Sequence, residues 1–198
     1  MFLTLLDLFD YLGQILKSLN SSSEYLLDSF PVAICDNIRI RSSKLVSSEE
    51  YRGYIASKKR YFYGIRVQLL STADGIPVEF VFLPGEANDT RGLKALPLNL
   101  SEGSVIYCDA GYTDYDAEDN AKQCERIFLK VMRKKNSRRP DEPWVAYIKQ
   151  HLRHPIETLF SQITQNFPKS IHAVTIDGFL LKVAAFIMVF TLESSFTF

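Results

Sequence analysis

The sequence predicts an α/β domain, a mixed sheet of five strands with helices on both faces. Three observations lead there. Runs of β-forming residues alternate with helical periodicity in the order three strands, helix, strand, helix, strand, helix. Two of those runs, 61–70 and 78–83, flank "TADGIP", whose Asp74-Gly75 pair is a hairpin turn. The 198 residues are 46% hydrophobic and 23% charged, which is the composition of an ordinary globular chain able to bury one core.

The elements follow in order. Phe2, Leu5, Leu6, Phe9, Leu12, Ile15 and Leu16 recur at helical spacing, so the segment 1–22 is expected to be an amphipathic helix seeking a partner surface. Asp7 and Asp10 interrupt it, and no basic region or small-residue cleavage site accompanies it, so it does not read as a signal peptide. A first strand is expected over 25–34, with an irregularity at Pro31. The hairpin supplies strands two and three. Asn88 or Asp89 can cap a short helix ending near Leu96. Strand four covers 105–108, a helix 115–124, and strand five 127–132. Helical patterning returns around Trp144 and again after Pro155, which suits a first helical turn. The apolar run 178–192 contains Lys182 and falls short of the roughly 20 residues a membrane span needs, so it reads as a buried helix within a C-terminal unit, 176–198.

Composition also excludes. Lys plus Arg and Asp plus Glu number 23 each, which is not the strongly basic profile of a dedicated DNA-binding module, although a neutral total permits a local basic groove. Cys35, Cys108 and Cys124 have no paired spacing, so neither a disulfide framework nor a zinc knuckle is indicated and a reducing compartment fits. Cys35 and Cys108 read as small core residues rather than nucleophiles. Neither a GxSxG elbow nor a phosphate-cradling glycine loop is present.

Two apolar strands run into acids, Asp28 in the first and Asp109 after the fourth. In a sheet of this order those strands are plausible neighbours, which would bring the carboxylates together. Facing carboxylates repel and lose solvation, so a fold that keeps them needs a cation between them. A divalent metal fits, and two ions about 4 Å apart can serve attacking and leaving oxygens of a phosphoryl transfer. Glu157 is the candidate third acid, on a helix whose Ile156, Leu159, Phe160 and Ile163 form an apolar face. Each has a plain alternative. Asp109 could cap the turn that follows it, Asp36 rivals Asp28, and Glu157 could be a solvated acid favoured by the helix dipole. His151, His154 and Glu157 recur at three-residue intervals as zinc ligands might on a helix, but Pro155 is expected to break that helix.

Two basic clusters stand out. Arg133, Lys134, Lys135, Arg138 and Arg139 lie in "RKKNSRRP", and Lys58, Lys59 and Arg60 lie beside tyrosines in "SKKRYFYG". Phosphate contact, with tyrosine stacking on unpaired bases, is one reading; a solvated loop is the other.

The segments "DSFPVAICDN", "EEYRGYIASKKRYFYGIRVQLL", "GIPVEFVFLPGEANDTRGLK", "VIYCDAGYTDYD", "RKKNSRRPDEPW" and "RHPIETLFSQITQNFPKSIHAVTIDGFLLKV" together resemble insertion-sequence transposases of the DDE class. The nearest group is the nine-eighty-two insertion-sequence family, and the likeness runs from about Tyr25 to about Phe190. It implies a ribonuclease H-like catalytic domain over 23–175. Asp28 in "DSFP", Asp109 in "YCDAGY" and Glu157 in "RHPIETLF" match the three family acids, and Arg153 matches an arginine near substrate phosphate. The implied chemistry uses two Mg2+ or Mn2+ ions: water attacks a phosphodiester at the transposon end, and the freed 3'-hydroxyl attacks target DNA. Implied partners are transposon-end and target DNA and a second copy of the chain, in the cytoplasm at the nucleoid, with no membrane. Departures are Ala110 and Thr164, where relatives tend to carry lysine, and only 27 residues before Asp28, which suggests truncation. They keep open two other readings, a catalytically decayed DNA-binding remnant and a ribonuclease H-like nuclease that cuts without joining.

Overall fold

Among the described residues six strands form one mixed sheet, one more than the five expected. The structure is a computed structural model that describes residues 2–36, 45–46, 48–55, 58–168 and 171–196, with the backbone alone at 36 and 152–157. The strands are β1 (Glu24–Asp36), β2 (Arg52–Ile55), β3 (Arg60–Thr72), β4 (Pro77–Pro84), β5 (Val105–Cys108) and β6 (Phe128–Val131). The helices are α1 (Phe2–Leu19), α2 (Asp89–Ala95), α3 (Tyr115–Asn120), α4 (Pro143–Gln165) and α5 (Ile176–Phe196). β1 lies between β3, antiparallel to it, and β5, parallel to it; β6 continues the parallel side, while β2 and β4 both pair with β3. This arrangement is compatible with a ribonuclease H-like sheet. The unexpected strand is β2, a four-residue piece paired with the start of β3 across a turn in which Lys59 takes a left-handed φ of 47°.

The hairpin forms where Asp74-Gly75 requires it, with Gly75 at φ 86°. The irregularity expected at Pro31 falls instead between Ala33 and Cys35, while Pro31 pairs in register with Arg66. Beyond Leu27 the β5 ladder has ended, so β1 is there an edge on that side, where a missing N–H is tolerated.

Period-two alternation divides the core. Tyr25, Leu27, Leu70, Ile106, Cys108 and Val131 bury one face against Leu93 of α2 and Tyr112. Phe30, Val32, Val67 and Leu69 bury the other against Leu159 and Ile163 of α4, Phe179, Val183 and Ile187 of α5, and Phe9 of α1. Each such side chain contributes roughly 1.5–3 kcal/mol, so this pattern fixes which way the intervening polar residues point.

Two helical expectations are corrected. The helix around Trp144 and the one after Pro155 are a single helix, α4, which runs through Pro155. A proline inside a helix costs one backbone hydrogen bond and strain; α4 is held on both sides of it. Lys149 Nζ reaches the Val131 carbonyl at 2.8 Å and Asp141 at 2.6 Å, while the Phe160 ring packs at a tilt of 51° against Phe30 with centroids 5.0 Å apart. Glu157 is therefore mid-helix rather than near a helix start. The C-terminal helix α5 fills most of the helix expected over 176–198, and with 21 residues it is long and apolar enough by length and composition to cross a membrane, where the apolar run alone fell short. In this fold it buries Phe179, Val183, Ala184, Ile187 and Phe190. The helix expected over 115–124 is α3 followed by a π turn over Ala121–Glu125.

α1 docks on β4. A Cβ on Gly13 would overlap the Val78 carbonyl oxygen, so glycine permits the approach, and Lys17 pairs with the buried Glu79. The second Glu79 oxygen accepts from Leu98 N at 3.0 Å.

Candidate acidic active site

Leu27 and Cys108 are register partners on the parallel neighbours β1 and β5. Asp28 and Asp109 each come one residue later, so the two aspartates stand abreast where that ladder ends, on backbones about 4.8 Å apart. Asp28 is opposite Leu69, on the face that α4 and α5 cover. Asp36 ends β1 opposite Phe62, eight residues further on, or roughly 26 Å along the strand, too far to share a site with Asp109.

Local backbone donors orient both acids. Ser29 N donates to Asp28 Oδ1 at 2.7 Å, and Gly111 N donates to Asp109 Oδ1 at 2.6 Å. The second bond caps the short turn Ala110–Tyr112. Capping and a role in the site are thus compatible, because the cap engages one carboxylate oxygen of two.

A third acid joins them that the sequence does not single out for chemistry. Asp89, the first residue of α2, accepts from Ser29 Oγ at 2.8 Å through Oδ1. Arg66 donates to the same Ser29 hydroxyl at 3.0 Å and stands 3.9 Å from Asp89 Oδ1. A Cβ on Gly111 would overlap Asp89 Oδ2 and come within 2.9 Å of Asp109 Oδ1, so Asp89 and Asp109 flank Gly111. By sequence Asp89 is only an alternative cap; Asn88 holds that post, accepting from Arg91 N at 2.9 Å. An acid beside an already sufficient cap is the signal the sequence offers.

The buried groups nearby register this charge. Burial, then the negative charges of Asp109 and Asp28, push the Cys108 thiol well above its usual range. Burial, then Asp28 and Asp89, do the same to the Tyr112 hydroxyl. Neither group can ionise at neutral pH, which removes Cys108 as a nucleophile.

The side chains of Arg153, His154 and Glu157 lie outside the described residues. The backbone of α4 that carries them lies between Lys149, anchored at the end of β6, and Phe160, packed on β1, and α4 packs on β1 and β5. Among the described residues no group of three His, Cys, Asp or Glu is spaced to hold a metal ion. The two acids abreast at the end of the β1–β5 ladder, Asp28 and Asp109, offer carboxylate oxygen, which suits a hard dication such as Mg2+ rather than zinc.

The basic clusters part company. Lys58 and Lys59 are exposed in the turn before β3, and Arg60 opens that strand. Arg60 is nine residues from Leu69, the partner of Asp28, about 30 Å along the strand. The other cluster follows β6, one strand beyond Asp109. In it Arg133 is largely buried and makes a bidentate pair with Glu118, with Nη1 to Oε1 at 2.7 Å. Arg139 grips Asp119 at 2.7 and 2.8 Å, and its guanidinium lies 4.7 Å over the Tyr115 ring. These two arginines tie the loop to α3. Lys134, Lys135 and Arg138 are exposed.

A family model described as "Transposase DDE domain" matches residues 20–192. The match begins just after α1 and extends into α5. No curated protein and no solved structure matches the chain significantly.

Proposed function

The chain belongs to the transposase DDE-domain family, and from that premise we propose that it cuts and joins DNA during transposition of an insertion sequence, with Asp28, Asp109 and Glu157 as its catalytic acids. The observation that carries this reading is the placement of Asp28 and Asp109 abreast, one residue past the Leu27–Cys108 pair. Two Mg2+ or Mn2+ ions would be held by these acids and would supply Lewis acidity at the phosphate and a more acidic attacking water. The chain's own residues then do the positioning. Ser29 N and Gly111 N each orient one oxygen of the aspartate beside them. Glu157 of α4 would serve as the third acid, and Arg153, one helical turn before it, would meet the substrate phosphate. Lys134, Lys135 and Arg138 neutralise flanking backbone phosphates, and Lys58, Lys59 and Arg60 do so farther along the DNA.

The finer reading places the chain in the nine-eighty-two insertion-sequence group, acting in the cytoplasm as a dimer that brings two element ends together. A nicking and strand-transfer assay on element-end DNA with Mg2+ or Mn2+ tests it. Metal-dependent nicks followed by joined products support it, and nicks without joining leave a simple nuclease. The decayed-remnant reading has its own support, since Ala110 and Thr164 carry no charge and Thr164 Oγ bonds back to the Phe160 carbonyl at 2.7 Å. Metal binding without any nick would favour the remnant.

A further inference from the structure

Asp28 and Asp109 sit on different strands, yet each is oriented by the backbone N–H of a near neighbour, Ser29 and Gly111. Asp89 touches both neighbours. Its Oδ1 accepts from the Ser29 hydroxyl at 2.8 Å, and its Oδ2 occupies the space beside Gly111 that a Cβ would fill. We propose that Asp89 is a positioning residue, a brace between β1 and the turn after β5 that sets the separation of the two catalytic aspartates. The inference rests on the catalytic reading above.

The energetics support a brace over a chance neighbour. A third carboxylate beside two others adds repulsion, and a fold keeps it only where compensation is built in. Here Arg66 supplies that compensation, donating to Ser29 Oγ at 3.0 Å and lying 3.9 Å from Asp89. The Arg66 partner on β1 is Pro31, two residues from Ser29 on the same face, so β3 contributes the cation, β1 the hydroxyl and α2 the acid. A partner of this kind, one shell outside the ligands, typically changes metal affinity 10–100-fold when removed.

The test is calorimetric titration of the full chain with Mn2+, alone and without DNA. Asp89→Ala and Ser29→Ala should each weaken Mn2+ binding about tenfold or more. The double variant should be no weaker than Asp89→Ala, because both changes break the same hydrogen bond. Asp89→Asn, which keeps an oxygen toward Ser29, should restore most of the affinity. Independent, additive losses would overturn the brace, as would wild-type affinity in Asp89→Ala. A silent Ser29→Ala beside an Asp89→Asn that binds nothing would also overturn it, because Asp89 would then be a direct ligand. Should Asp89→Ala fail to fold, Ser29→Ala and Asp89→Asn decide alone. Absence of Mn2+ binding by the wild-type chain would remove the catalytic reading together with the brace. Wild-type binding that Asp28→Ala abolishes leaves only the brace in question.

Discussion

Two of the places where this chain keeps charge out of full solvent treat it in opposite ways. Between α1 and β4, Lys17 and Glu79 are 5% and 7% exposed, and both Glu79 oxygens are engaged, one by the ammonium and one by Leu98 N. At the end of the β1–β5 ladder Asp28 and Asp109 stand abreast, and Asp89 lies nearby with the Arg66 guanidinium 3.9 Å away. The first arrangement is neutral and closed; it locks a helix to a strand. The second sets Asp28 and Asp109 abreast at the end of a ladder, the placement that, on the proposed function, a divalent cation would use.

Substitutions at these sites break or sharpen that contrast, in descending order of effect. Asp109→Ala, or Asp28→Ala, should cut metal-dependent nicking about a thousandfold, equivalent to roughly 4 kcal/mol of transition-state stabilisation. A nicking assay with Mg2+ reads it, and unimpaired cleavage by either variant would remove that residue from the mechanism. Lys17→Met should destabilise the fold by about 3–5 kcal/mol by stranding Glu79, read as a lower urea midpoint. The double replacement Lys17→Met with Glu79→Leu should recover most of that loss, since a buried ion pair is replaceable by apolar residues of similar volume.

Asp109→Asn should do the reverse of Lys17→Met. In metal-free buffer it relieves repulsion and should raise stability by about 1 kcal/mol; Mg2+ should then stabilise the wild type more than the variant. If the metal-free variant is less stable than wild type, the excess charge is compensated in some other way. The smallest effect belongs to the exposed basic loop. Replacing Lys134, Lys135 and Arg138 with alanine should flatten the salt dependence of DNA binding by about 0.9 for each phosphate that is no longer neutralised. Arg133→Ala should lower thermal stability instead, because Arg133 is tied to Glu118.

How much of this was legible in the sequence follows from how local each cause is. The β3–β4 hairpin and the limits of β5 were readable because the Asp74-Gly75 turn and the apolar run of 105–108 are local signals. β2 was not, because the turn that creates it places Lys59, rather than glycine or asparagine, in the left-handed region. The passage of α4 through Pro155 was hidden because its causes, Lys149 at β6 and Phe160 at β1, are tertiary. The adjacency of Asp28 and Asp109 could be anticipated from strand order, whereas Asp89 needed the fold. Its neighbours Ser29 and Gly111 are 60 and 22 positions away in sequence, and only the packing of α2 against the sheet brings them together.

One step in the sheet has a consequence for access. β5 and β6 stop at Cys108 and Val131, level with the aspartates, while β1 and β3 run on together to Asp36 and Arg60. The acids thus sit at the foot of a wall in which β4 and β2 also pair with β3, instead of on an open rim. On the proposed function, a nucleic-acid duplex would approach over β5 and β6, past the corner where Lys134, Lys135 and Arg138 are exposed.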